Sequence, residues 1–173
     1  MSDPVRSRQA RELAEAALIR LVEEYGEIPE FVLLGRLVPD VLCGGAARRH
    51  VGMTDVDLQV DLEIQGGSGN AERLERALIS ANFVPDNARI WRWRAQSDPH
   101  LVVRVEFLAD LAGVPNQQTV SFDGCESLGA VNLRGTGFAS RDGEERTIVG
   151  GEENLRLRVA TLPAYLLAKV HAA

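Results

Sequence analysis

A chain of 173 residues, 45% of them hydrophobic, is long enough to bury a core as one domain. Its net charge of −6 excludes an overall basic nucleic-acid coat, though not a local basic patch, and two cysteines exclude a disulfide framework. No apolar run is long enough to cross a bilayer, and MSDPVRSRQARELAEA lacks the apolar centre of a signal peptide, so a soluble cytoplasmic protein with no membrane partner is expected.

Residues 5–25 read as an amphipathic helix. Ala10, Leu13, Ala14, Ala17, Leu18, Leu21 and Tyr25 recur at three- and four-residue spacing, after Asp3-Pro4 and before Gly26. IPEFVLLGRL reads as a second short helix. PDVLCGG reads as a buried strand entering a Gly turn, and AARRHVG as one or two helical turns. DVDLQVDLEI alternates without a break and predicts a strand. After the GGSGN turn, AERLERALISANF is a second amphipathic helix with Leu74, Ala77, Leu78 and Ala81 inward. RIWRWRA and HLVVRVEFLAD predict an antiparallel hairpin joined by QSDP.

Residues 109–154 are Gly-rich, with short strands expected around GFAS and RTIVG. LRLRVA is a last strand. Thr161 caps a final helix that has Pro163 in its first turn and Leu166, Leu167 and Val170 on its apolar face. The element order gives an α+β domain (an α/β mixed sheet).

Two features carry chemistry. Asp55 and Asp57 occupy consecutive odd positions of a strand, so they share a face about 6–7 Å apart. Like charges so close repel, and a hard cation such as Mg²⁺ or Mn²⁺ relieves the repulsion. The competing reading is the wet face of a half-solvated strand. A calcium loop fails, because Val60 stands where the sharp turn needs Gly and Gly66 where a bidentate Glu is needed. The second feature is Gly44-Gly45, whose backbone N–H groups can cradle phosphate at a helix start, or merely make a tight turn.

Together, GGAARRHVGMTDVDL resembles the signature of the nucleotidyltransferase fold of the DNA polymerase β superfamily. Within it, the chain looks most like the AbiEii/MenT-type bacterial toxin nucleotidyltransferases, and LRVATLPAYLLAKVHAA also resembles that group. The resemblance implies a nucleotidyltransferase-like core with flanking helices. It divides the chain into a helical segment, 1–36, and the core, 37–173, which lacks the helical lobe that usually follows.

It also implies a third carboxylate on a neighbouring strand. Glu106, isolated in an apolar strand, fits it, although pairing with Arg92 or Arg94 across the hairpin is the alternative; Asp110 is the fallback. Asp55, Asp57 and Glu106 would hold Mg²⁺ or Mn²⁺. Gly44, Gly45, Thr54, Arg48 and Lys169 would contact a nucleoside triphosphate, with Arg49 beside Arg48. Lys169 is the only lysine, so no P-loop is present. Asp61 and Glu63 lie too far along the strand to join the same centre.

The implied reaction moves a nucleoside monophosphate to an acceptor hydroxyl. The acceptor is tRNA or other RNA in a toxin–antitoxin setting, with an antitoxin protein as partner, or it is a small molecule or protein. A catalytically inactive relative, serving as a nucleotide-binding or protein-interaction module, is the alternative. His50, His100 and His171 lack zinc spacing. Trp91 and Trp93 share a strand face that packs on a helix, and neither Cys43 nor Cys125 has a catalytic partner in the sequence.

Overall fold

A computed structural model describes residues 4–26, 29–35, 37–42, 55–60, 68–98, 101–150 and 153–171. Over 55–60 it describes the backbone path and strand register.

The first helix, α1 (Pro4–Tyr25), buries Ala10, Ala14, Ala17, Leu18, Leu21 and Tyr25 of the expected stripe, with Leu13 half-buried and Val22 buried in addition. Gly26 ends it at φ 79°, its N–H donating to the Val22 carbonyl at 3.2 Å. The segment IPEFVLLGRL does not form a helix. Its apolar run is strand β1 (Phe31–Leu33), buried at every residue. A short apolar run with no wet side fits a strand flanked on both edges, and periodicity alone cannot separate that from a helix.

PDVLCGG differs in the opposite sense. Val38–Leu42 is helix α2, with Pro39 in its first turn, where a missing N–H costs nothing. A strand, Gly turn and helix do run through β1, Gly35 (φ 90°) and α2, while the Gly turn and helical turns expected at 43–52 lie outside the described residues.

Strand β2 (Asp55–Val60) and helix α3 (Ser68–Ser80) follow. Helix α3 buries Leu74, Ala77 and Leu78 and closes through Asn82 at φ 61°, with the Phe83 N–H reaching back to the Leu78 carbonyl at 2.9 Å. A short strand, β3 (Val84–Asp86), leads into the hairpin of β4 (Arg89–Asp98) and β5 (Leu101–Ala109), antiparallel as expected. The Gly-rich region forms β6 (Thr119–Ser121) and β7 (Gly129–Asn132). GFAS is helical, not a strand: α4 (Phe138–Arg141) starts after Gly135 and Gly137, whose N–H groups both donate to Asp110 Oδ2. Asp110 thus organises this turn. Strands β8 (Gly143–Gly150) and β9 (Glu153–Ala160) pair antiparallel before α5 (Leu162–His171).

The result is an α+β architecture on one mixed sheet, ordered β3-β4-β5-β2-β1-β9-β8, with β7 joined to β5 and β6. β2 runs parallel to β5 and antiparallel to β1, and β1 runs parallel to β9. The odd residues of β5, Val103, Val105, Phe107 and Ala109, are fully buried on the α1 side. The even residues lie on the opposite face, where α4 packs on β1, β2 and β9 and α5 packs on α4. Thr161 caps α5, accepting the Ala164 N–H at 3.4 Å. The inward face of α5 is Ala164 and Ala168, however, and Leu166, Leu167 and Val170 are exposed, contrary to expectation. Two alanines at i and i+4 allow a close backbone approach that leucines would block.

Candidate active site

The strand register joins residues that lie 49 positions apart in sequence. Asp57 is paired with Glu106 across the parallel β2–β5 ladder, and Asp55 with Arg104. Neighbouring strands are about 4.8 Å apart, and paired positions share a face. The positions of Asp55, Asp57 and Glu106 thus lie on one face of adjacent strands at the centre of the sheet. Across the hairpin, Glu106 is also paired with Arg92, and Arg104 with Arg94.

Glu106 is the best described of these residues. Its Oε1 accepts from Arg92 Nε at 2.6 Å and from Arg92 Nη2. The two side chains are 21% and 22% exposed, so the pair is half-buried and remains within reach of solvent. Both bonds fall on one carboxylate oxygen. This is not the fork-to-fork arrangement in which an arginine engages both.

Glu106 also lines a cleft of about 130 Å³, with Leu34, Gly35, Leu108, Leu133, Thr136, Tyr165, Ala168 and Lys169. The cleft floor is apolar and its rim is not. Thr136 is held by its hydroxyl, which donates to the Leu133 carbonyl at 2.7 Å. Lys169 is exposed, with Nζ 5.6 Å from the Tyr165 ring centroid, one helical turn away. Two residues assigned to the site from resemblance, Glu106 and Lys169, therefore border the same cleft. Gly35, Thr136, Tyr165 and Arg92 border or touch the site and were not among the expected binding residues. Of these only Arg92 had a sequence signal, as a possible cross-hairpin partner.

Gly44, Gly45, Arg48, Arg49 and Thr54 lie outside the described residues, as do Asp61 and Glu63. Asp110, the fallback carboxylate, is engaged in structure through Gly135 and Gly137. Trp93 is fully buried, as packing predicts, while Trp91 is half-buried with the Arg89 guanidinium 5.9 Å from its ring centroid. Among the described side chains, no three His, Cys, Asp or Glu groups converge as a metal site. The backbone register nevertheless brings three carboxylate-bearing positions together, and oxygen donors of that type suit a hard divalent cation. The residues fit such an ion by donor chemistry and by register.

Compared with protein families, with curated proteins and with solved structures, the chain gives no match. Among the described residues, no helix is long and apolar enough to cross a membrane.

Proposed function

We propose that the chain is a metal-dependent nucleotidyltransferase that moves a nucleoside monophosphate from a nucleoside triphosphate to an acceptor hydroxyl. The observation that carries this reading is the pairing of Asp57 with Glu106 on adjacent strands, beside a cleft that Glu106 shares with Lys169.

Asp55, Asp57 and Glu106 would hold Mg²⁺ or Mn²⁺, which supplies charge neutralisation for the triphosphate and lowers the pKa of a bound hydroxyl. The chain's own residues do the rest. Glu106 would accept the proton that leaves the acceptor hydroxyl. Lys169, lining the same cleft, would meet phosphate negative charge. Leu34, Leu108, Leu133 and Ala168 provide an apolar wall to the cleft. Gly35, without a side chain, leaves room beside Glu106. Phosphoryl chemistry of this kind rests on positioning and charge more than on covalent steps by the protein.

The acceptor (tRNA or other RNA, a small molecule, or a protein) is part of the proposal, as is a toxin–antitoxin setting with an antitoxin partner. A second reading is a catalytically inactive relative that keeps the fold as a nucleotide-binding or protein-interaction module. The Arg92–Glu106 ion pair favours it, since a carboxylate already neutralised has no need of a metal.

Calorimetry with each nucleoside triphosphate in Mg²⁺, and transfer of an α-phosphate label to total tRNA, test the enzyme reading. Binding and transfer that vanish in Asp55→Ala/Asp57→Ala are expected. No binding by the wild-type protein, or binding indifferent to the double variant, would falsify it. Binding without transfer to any acceptor leaves the module reading standing.

A further inference from the structure

The strongest unexplained feature of the site is Arg92. A cation on a cross-strand carboxylate would ordinarily count as surface decoration. Here the carboxylate stands at the register position beside Asp57, and its partner is one of three arginines, Arg92, Arg94 and Arg104, on the paired front positions of β4 and β5. Two acidic residues at facing positions repel, and in the ion-free protein their repulsion is offset by a positive charge from elsewhere. Arg92 supplies that charge to Glu106.

The geometry of the pair suits exchange. Both contacts converge on Oε1, leaving Oε2 outside the pairing, and about a fifth of each side chain is open to solvent. A pair of this exposure is weak enough for a doubly charged ion to displace it. Once such an ion lies between Asp57 and Glu106, its two positive charges neutralise the two carboxylates, and the attraction that holds the guanidinium on Glu106 is largely lost.

We propose that Arg92 is a positioning residue that holds Glu106 in the ion-free protein and releases it when a divalent cation binds between Asp57 and Glu106. This rests on the nucleotidyltransferase reading of the site. The contrary role, a permanent brace that keeps Glu106 aimed at the metal, predicts the opposite sign, so the two are separable by experiment.

The test is Mn²⁺ affinity, read from the electron paramagnetic resonance of free Mn²⁺, for wild type, Arg92→Gln and Asp57→Asn. Removing the competing guanidinium is expected to tighten Mn²⁺ binding about 3- to 10-fold, the scale of a single ion pair within reach of solvent. Asp57→Asn is expected to weaken it at least about tenfold. Unchanged or weaker binding by Arg92→Gln, with wild type and Asp57→Asn as expected, overturns the inference and leaves the parent reading intact. No ion bound by wild type, or none lost in Asp57→Asn, overturns both.

A measurement on wild-type protein guards against misfolding of the variant. The side-chain Nε–H resonance of Arg92 is followed during Mg²⁺ titration. Its move to the position of a solvated arginine at the concentration where the ion binds supports release. Its persistence at saturating Mg²⁺ rules release out.

Discussion

Glu75 and Glu106 are both largely sheltered carboxylates, and the structure treats them in opposite ways. Glu75, on α3, accepts three backbone N–H groups, from Glu126 at 3.0 Å, Ser127 at 2.6 Å and Leu128 at 2.8 Å. Among the described residues, Glu106 accepts from one side chain, Arg92. Backbone donors cannot leave without unfolding the loop that carries them, whereas an arginine can rotate away. The first arrangement pins the loop before β7 to α3, and the second leaves a carboxylate available. The contrast separates a structural acid from a candidate functional one without reference to any relative.

The largest expected effect breaks the structural side of that comparison. Glu75→Ala leaves three donors without partners at a site only 9% exposed. A loss of about 3 kcal/mol or more in urea unfolding is expected. Glu75→Gln, which keeps an acceptor oxygen, is expected to cost about half as much. A loss below about 1 kcal/mol for Glu75→Ala would mean that the loop is not held by this carboxylate.

The same loop turns at Gly124, at φ +82°, with the Glu72 side chain crowding the place where a Cβ would stand. Glu72 ends in a flexible carboxylate that can swing away, so the backbone conformation sets the penalty. Gly124→Ala is expected to destabilise by about 1–2 kcal/mol, and Gly124→Asn, which tolerates this region better, by less. Equal costs for the two variants would show that crowding, not backbone conformation, governs the turn.

Glu106→Gln tests the functional side. Its ion pair is only about a fifth exposed, but glutamine keeps an acceptor oxygen for Arg92, so stability is expected to change by no more than about 1–2 kcal/mol. Divalent-ion affinity is expected to fall at least about tenfold. A large stability loss with no change in ion affinity would put Glu106 in the same class as Glu75 and remove the comparison altogether.

The sequence made some of this legible and hid the rest for physical reasons. The β4–β5 hairpin and α3 carry unbroken periodicities, so their existence and inward faces could be read directly. Glu106 stood out because one acid in an apolar strand has few trivial explanations. That Glu106 lies on a strand beside the Asp pair was implied by the resemblance alone; the register that pairs it with Asp57 could not be read, because it depends on long-range contacts that leave no local trace. Glu75 was hidden for the same reason. Within AERLERALIS it resembles any solvated acid, and its partners lie 51 to 53 residues away. Phe31–Leu33 and Val38–Leu42 exchanged their expected conformations, because apolar runs this short lack the period that distinguishes strand from helix. In α5 the leucines drew attention as the apolar face, but close packing against the core was achieved by Ala164 and Ala168.

Cys125 offers the mildest probe, since it reports on the Glu75 loop without substitution. Burial first, and then the negative charges of Glu75 and Glu72, push its thiol from 9.0 up to about 11, with Arg76 opposing. The folded state therefore holds the proton more tightly than the unfolded chain. Stability from this group is present in full below pH 9, and it declines as pH rises from 9 towards 11, where the unfolded chain has already lost the proton. At pH 8 the folded protein carries about 100-fold less thiolate than unfolded chain. Alkylation by iodoacetamide, resolved by peptide mass spectrometry to separate Cys125 from Cys43, is expected to be slower by about that factor in the native protein. It should speed up in Glu75→Ala as the loop detaches. Native alkylation as fast as in urea would show that the loop opens freely, and that Glu75, like Glu106, has a partner it can lose.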